Sequence, residues 1–315
     1  MFALLETPEA RRFFIRHRQE LKSAGVHVDG AHIRIKIIKN NHDPKTLSFV
    51  AFYDIISSNK KVRLVGLARP NNNSWHEYLT LRYIATHKKL NINIPKPYLV
   101  DKNRNFLLTS YAKGSSLVQT INKYGTIPPQ LLKKIILVLH NFEKLSKRDL
   151  FFLRNNNLFW LERDLDLAKK KYGFRVKPAI DAWLVWKKSW PDIARKNFYF
   201  AHGDMNPKNI YVDCEQLTLI DFDRATLAPR YWDLAGLLSQ IESYPKLNIS
   251  NRQRLKIKND ILVAWNKNVK PLSAKELENI KMIENYYRIA AITNLLVWGD
   301  PYNDKQRIKW LIKRL

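Results

Sequence analysis

Residues 202 to 223 read His-Gly-Asp-Met-Asn-Pro-Lys-Asn-Ile-Tyr-Val-Asp-Cys-Glu-Gln-Leu-Thr-Leu-Ile-Asp-Phe-Asp, and no other stretch limits the possible folds so tightly. Asn209 to Val212 and Leu217 to Ile220 are short apolar runs separated by the polar turn Asp213-Cys214-Glu215-Gln216, the pattern of a β-hairpin. A hairpin returns the chain on itself, so Asp221 is expected beside Asn209 although twelve residues separate them. Asp204 precedes Asn209 by five residues, close enough for one short loop to aim both side chains at the same point. Phosphoryl transfer needs a group that orients or deprotonates the attacking hydroxyl and oxygen ligands that hold a divalent ion, because positioning and charge neutralisation dominate that reaction. Asp204 suits the first task, and Asn209 and Asp221 suit the second.

This segment resembles the Brenner motif of the aminoglycoside phosphotransferase and choline kinase superfamily: His-Gly-Asp, then Asn, then Ile-Asp-Phe-Asp. Tyr231-Trp232-Asp233-Leu234-Ala235 after the motif, and Leu107-Leu108-Thr109-Ser110-Tyr111-Ala112-Lys113-Gly114 where an interlobe hinge would fall, agree with the same pattern. The resemblance implies an α+β, bilobal protein-kinase-like fold, with a small antiparallel β-sheet N-lobe and a larger, mostly helical C-lobe. The expected division is a nucleotide-binding lobe over residues 1–109 and a catalytic and substrate-binding lobe over 110–315. It also implies ATP, with GTP as the other option, and Mg2+ as cofactors. Asp204 is then the catalytic carboxylate and His202 orients its loop. Asn209 and Asp221 bind metal, with Asp223 supporting the ion or a basic side chain. Asp233 anchors the loop, and backbone groups of Ser110 and Ala112 meet the adenine edge.

At 315 residues, 45% of them hydrophobic and including nine Trp, fourteen Tyr and fourteen Phe, the chain has material for a substantial core. Cys214 is the only cysteine, which excludes an intrachain disulfide and a cysteine-cluster zinc site and fits a reducing compartment. No apolar run approaches a membrane span, and Glu6, Thr7 and Pro8 break the opening apolar residues too early for a signal peptide. Cytoplasmic residence is the default expectation.

The formal charge of +27 invites a polyanion partner. The charge is spread, however: residues 1–110 hold 19 Lys or Arg against 8 Asp or Glu, and the remainder holds 36 against 20. The longest unbroken basic run is Lys169-Lys170-Lys171, and no nucleic-acid-binding module is recognisable.

Along the chain, Thr7 as a cap and Pro8 at the first helical position predict an opening helix with Phe13, Phe14 and Leu21 seeking a surface. Strands are expected over Ile33 to Lys39, Leu47 to Ile56 and Val62 to Ala68, forming a small antiparallel sheet, followed by a helix over Trp75 to Lys89. Glu77 on that helix is the candidate to pair with a strand cation at the phosphates. The turn Asn40 to Lys45 has no glycine and the third strand has no central lysine, so Arg69 at its end, or Arg63 nearer its start, carries the cationic role. Helices are expected over Gln130 to Leu145, Trp232 to Gln240, Arg252 to Trp265 and Lys275 to Trp298.

The leading function is a small-molecule O-kinase. From residue 268 onward, nine Lys or Arg face five Asp or Glu, a poor balance for a polycationic aminoglycoside and a better one for a neutral or anionic hydroxyl compound. An aromatic cage for choline is conceivable from Trp265, Tyr286, Tyr287 and Trp298, which at helical spacing also read as core. Two alternatives stand beside the kinase: a nucleotide-binding pseudokinase, from the missing glycines and strand lysine, and a polyanion-binding protein on a kinase scaffold, from net charge.

Overall fold

The structure, a computed structural model, describes residues 2–41, 48–57, 60–69, 73–87, 90, 92–145, 153, 159–194, 198–214, 216–298 and 305–315. Contacts divide the chain into two units. The first comprises Met1–Gly114 and Thr218–Arg224, and the second Ser115–Leu217 and Ala225–Leu315. The glycine-free turn discussed above lies, from residue 42 to 45, outside the described residues.

The first unit is organised by the two-residue period of its strands. In β2 (Ser48–Ser57), Phe49, Ala51, Tyr53 and Ile55 are buried while their neighbours are half-exposed. β1 (His32–Asn41) and β3 (Lys60–Ala68) flank β2, and β5 (Phe106–Ser110) and β4 (Pro97–Asp101) complete an antiparallel sheet of order β1-β2-β3-β5-β4. The sheet is thus wider than the three strands and hinge strand read from sequence. β4 had no clear alternation to announce it.

One face of this sheet receives α1 (Thr7–Arg16) and α2 (Arg18–Ser23), whose Phe13, Phe14 and Leu21 are buried in the same cluster as Phe49, Tyr53 and Phe106. Phe13 meets Phe106 edge-on at 5.4 Å and Phe14 meets Tyr53 at 5.3 Å. The Tyr53 hydroxyl, otherwise stranded in the core, donates to the Leu4 carbonyl at 2.9 Å. The opening helix differs from expectation in one respect. Its N-cap is Glu6, with no side-chain cap, and Thr7 is already inside the helix. The Ala10 amide bonds the Glu6 carbonyl at 2.9 Å, so helical bonding begins one residue earlier than a Thr7 cap would allow.

Gly66 shows how tightly the aromatic layer closes on β3. A methyl group there would lie 2.7 Å from Phe106 Cε2 and closer still to the Tyr53 ring. Two aromatic rings packed into a full core have no free rotamer to retreat to, so Gly66→Ala is expected to cost about 1–3 kcal/mol, read as a lowered urea midpoint.

The second unit is mainly helical. α4 (Leu117–Tyr124) starts with a reciprocal Ser116–Gln119 capping box and stops at Gly125, whose φ of 67° suits a residue without a side chain. α5 (Pro129–Phe142), α6 (Phe159–Tyr172) and α7 (Lys177–Ala194) follow, and α8 (Trp232–Ser243), α9 (Asn251–Asn268), α10 (Ala274–Trp298) and α11 (Lys305–Ile312) form its C-terminal part. Short strands lie between: β6 (Ser115–Ser116), β7 (Phe198–Ala201), β8 (Ile210–Asp213), β9 (Gln216–Leu219), whose last two residues belong to the first unit, and β10 (Thr226–Pro229). β7 pairs with β10 antiparallel, and the other three take the order β6-β8-β9. The expected hairpin is therefore present, with the exposed Cys214 at its turn at a φ of 53°.

α10 packs against α8, α6 and α7. Trp183, Trp186 and Trp190 stack in succession along α7 at 5.2 and 4.8 Å, and Trp186 Nε1 donates to the Met282 carbonyl at 2.7 Å. Trp265, Tyr286 and Tyr287 are buried, so these three members of the suggested cage are core; the Trp298 side chain lies outside the described residues.

A buried ionic group ties three of these helices together. Glu242 of α8 is only 2% exposed and accepts from Lys258 of α9 at 2.7 Å, from Arg288 of α10 at 2.9 Å and from Arg314 near the C-terminus. Glu284 of α10 accepts from the same Lys258 at 2.6 Å.

Candidate active site

In the first unit the site is built from a strand end, a helix and the segment that follows β9. Alternation along β3 buries Leu64, Gly66 and Ala68 and sets Val65, Leu67 and Arg69 on the other, half-exposed side. On α3 (Asn73–Thr86) the buried positions are Ser74, Glu77, Thr80, Leu81 and Ile84, so the three-and-four spacing carries a carboxylate inward with the apolar residues. A carboxylate that is 2% exposed requires a partner. Arg69 Nε supplies it at 2.9 Å to Oε2, and the Phe222 amide donates to Oε1 at 3.2 Å.

Asp221 adopts a φ of 72°, and Phe222–Arg224 makes one 3-10 turn directly after it. Asp221 and Asp223 are both brought to the same guanidinium. Nη2 donates to Asp221 Oδ1 at 2.5 Å and Nη1 to Asp223 Oδ2 at 3.0 Å. Burial raises the Glu77 pKa, against the pull of Arg69 and with the push of the neighbouring aspartates. For Arg69, burial works against the charge, but Glu77, Asp223 and Asp221 outweigh it and hold the guanidinium above its ordinary value.

Of the two arginines suggested by sequence, Arg69 is the one that joins Glu77. Arg63 is engaged elsewhere, bidentate to Asp54 at 2.6 and 2.9 Å and lying over the rings of Phe52 and Tyr111. At the hinge, the Ser110 amide donates to the Lys96 carbonyl at 2.9 Å, and Ser110 Oγ accepts from the Lys96 amide at 2.8 Å. The Ser110 N–H is thus engaged by the residue that leads into β4.

In the second unit, Asp233 at the start of α8 organises the loop after β7. Its Oδ2 accepts from the His202 amide at 2.7 Å and its Oδ1 from the Gly203 amide at 3.0 Å. Burial raises the Asp233 pKa, while His202 and the two amides pull it back. His202 is fully buried and its Nδ1 accepts from the Asp204 amide at 3.3 Å, so this imidazole shapes the loop from inside. Gly203, between them, has a φ of 81°, where a side chain would be strained.

Asn209 closes the loop through its amide, which donates to the Asp204 carbonyl at 3.0 Å and to Asp204 Oδ2 at 3.2 Å. The five-residue spacing thus delivers the pairing that it predicted. Sequence reasoning missed Lys208, whose Nζ lies 3.8 Å from Asp204 Oδ2, and Asn206, which takes the Lys208 amide at 3.1 Å and donates to Gln240 Oε1 at 3.1 Å. The signal for both was their place within the motif itself.

Among the described residues, no group of three or more His, Cys, Asp or Glu side chains is arranged to hold a metal by itself. The donors present are carboxylate and amide oxygens, which fit magnesium: that ion takes one or two protein carboxylates and fills its octahedron with phosphates and water.

An antiparallel sheet bearing a buried cation–glutamate pair, and a helical unit bearing an Asp–Asn loop, are the two halves of a protein-kinase-like phosphotransferase. Residues 61–253 match the sequence model of the phosphotransferase enzyme family, and the chain belongs to that family. It is accordingly a small-molecule kinase with an alcohol group as acceptor.

Solved structures with the same fold include a GDP complex of an aminoglycoside 2'-phosphotransferase IIIa mutant, 11% identical over 95% of this chain and 96% of that one, with a TM-score of 0.62. The amicoumacin kinase hAmiN, in complex with AMP-PNP, Ca2+ and Ami, is 12% identical over 95% and 94%, with a TM-score of 0.63. The choline kinase LicA from Streptococcus pneumoniae is 13% identical over 96% and 98%, with a TM-score of 0.59. No curated protein matches the chain in sequence. No helix among the described residues is long and apolar enough to cross a membrane.

Proposed function

We propose that the protein transfers the terminal phosphoryl group of ATP to a hydroxyl of a small neutral or anionic compound. The observation that carries this reading is the loop geometry, in which Asn209 holds the Asp204 carboxylate at 3.2 Å while Asp233 pins the loop backbone. Asp204 accepts the proton of the acceptor hydroxyl and aligns its oxygen. Asn209 and Asp221 are the proposed ligands of magnesium, which when bound neutralises charge on the phosphates, and Asp223 stands beside Asp221 in support. The Ser110 carbonyl and Ala112 are the proposed contacts of the adenine edge. Arg69, braced by Glu77, is the proposed phosphate cation, and this bracing favours transfer over the pseudokinase alternative because it supplies the charge that the missing strand lysine would have carried.

The carboxylates of α10 support the proposed acceptor class. Glu276 is bonded to Lys270 at 2.7 Å, Glu278 to Lys275 at 3.2 Å and Glu284 to Lys258 at 2.6 Å, so each is already neutralised by a lysine of its own unit. Paired in this way, they make a poor acidic surface for a polycationic aminoglycoside. A magnesium-dependent ATP turnover assay across sugars, amino alcohols, aminoglycosides and lipopolysaccharide core fragments tests the proposal. Turnover is expected with a neutral or anionic member of the panel. Nucleotide binding without any turnover would favour the pseudokinase, and steeply salt-dependent RNA retention would favour the polyanion binder.

A further inference from the structure

Arg69 makes more contacts than its pairing with Glu77 requires. Only Nε serves the glutamate, at 2.9 Å; the two terminal nitrogens point away and divide between Asp221 at 2.5 Å and Asp223 at 3.0 Å. We propose that Arg69 is a resident counter-cation of this aspartate pair, which keeps a divalent ion off Asp221 until the phosphates of a nucleotide draw its guanidinium away. The inference rests on the metal role proposed above for Asp221.

The contact geometry makes the two cations alternatives. Magnesium approaches an oxygen to about 2.0–2.1 Å and demands a near-octahedral shell. A guanidinium nitrogen in hydrogen-bond contact with Asp221 Oδ1 fills the space on that oxygen which the ion and its waters would need, and it carries the same sign of charge. The guanidinium also has somewhere to go. Glu77 is fixed by burial and by the Phe222 amide, so the Nε bond is a pivot about which the terminal nitrogens can turn without losing the buried partner. Phosphate oxygens are the strongest competitors for such a fork, because they accept its N–H groups in pairs.

The choice of arginine also acquires a reason. A lysine is a single charged point at the end of a flexible stem, whereas the five donors of a planar guanidinium can hold three carboxylates at once. Removing the guanidinium from Asp221 and placing the metal there become one exchange, so nucleotide and metal assist each other's binding by a reciprocal factor.

The test is Mn2+ binding to the full-length protein, read by the electron paramagnetic resonance signal of free Mn2+, without nucleotide and with the non-hydrolysable triphosphate AMP-PNP. Without nucleotide, Arg69→Met is expected to bind Mn2+ at least about fivefold more tightly than wild type, the low end of ordinary coupling between sites. Adding Asp221→Asn should abolish that gain. Equal Mn2+ affinities in wild type and Arg69→Met, with Asp221→Asn still losing the ion in the presence of AMP-PNP, would overturn the counter-cation and leave the metal role standing. Unchanged Mn2+ binding by Asp221→Asn with AMP-PNP would remove the metal role, and this inference with it. Should Arg69→Met not fold with three carboxylates left together, Arg69→Lys is the second variant. Its ammonium covers fewer oxygens, and the absence of any gain there would count against the proposal.

Discussion

Asp204→Asn is expected to lower turnover by on the order of a hundredfold or more, the usual contribution of a positioned acid–base group, while nucleotide affinity stays near wild type. The substitution keeps size and polarity but removes the charge that accepts the proton. The loop should survive it, because its backbone is held by Asp233 through the His202 and Gly203 amides and by Asn209 through the Asp204 carbonyl, none of which involves the Asp204 side chain. Steady-state kinetics and nucleotide titration on the same preparation separate the two effects. A variant that turns over at the wild-type rate would take Asp204 out of the chemistry, and one that loses nucleotide binding would point to a collapsed loop.

Glu242→Ala should produce the largest loss of stability. Removing this carboxylate leaves Arg288 with only Asn285 at 2.6 Å and a longer pairing to Glu284 at 3.7 Å, and weakens the setting of Lys258, in a region where both are 12% exposed; uncompensated buried charge costs about 3–5 kcal/mol. Glu284 still partners Lys258, which places the expected cost near the lower end, at about 3 kcal/mol. The pH dependence has a definite sign. Burial alone would raise the Glu242 pKa, but Lys258 and Arg288 outweigh it and bring it down to about 2. A carboxyl whose folded pKa is depressed contributes fully above its unfolded value and loses that contribution as pH falls towards the folded one. The deficit of Glu242→Ala relative to wild type is therefore expected to be constant above about pH 5 and to shrink as pH is lowered towards 2 in urea titrations.

Much of the loop in the second unit was legible in the sequence because its parts are contiguous. His202, Asp204 and Asn209 fall within eight residues, and the backbone between them is too short to separate them widely. Helices α8, α9 and α10 were legible for a different reason, their apolar residues recurring at three and four positions over long spans. What could not be read was the pairing of Arg69 with Asp221 and Asp223, which lie 152 and 154 residues away; only the folded sheet and the turn after β9 bring them together. The absence of a strand lysine looked like a defect because sequence alone does not show that a residue just beyond β3 stays on the half-exposed side of the sheet. α6 and α7 were overlooked because their apolar stripes are interrupted by lysines, and α7 gains its order from a row of stacked indoles. Three of the aromatic residues considered for a cage, Trp265, Tyr286 and Tyr287, proved to be core, since rings at helical spacing cannot announce whether they face a ligand or one another.

The route of the chain through the first unit limits how the protein can be divided. Residues 218–224 belong with Met1–Gly114: Leu219 donates to the Asn93 carbonyl at 3.0 Å, and Asp221 and Asp223 complete the ionic cluster of Arg69. A fragment ending at Gly114 would lack the two aspartates and the amide that steadies Glu77. Gene truncation at the apparent boundary therefore yields an incomplete body, and any split version of the enzyme must carry this late heptapeptide back to the early half.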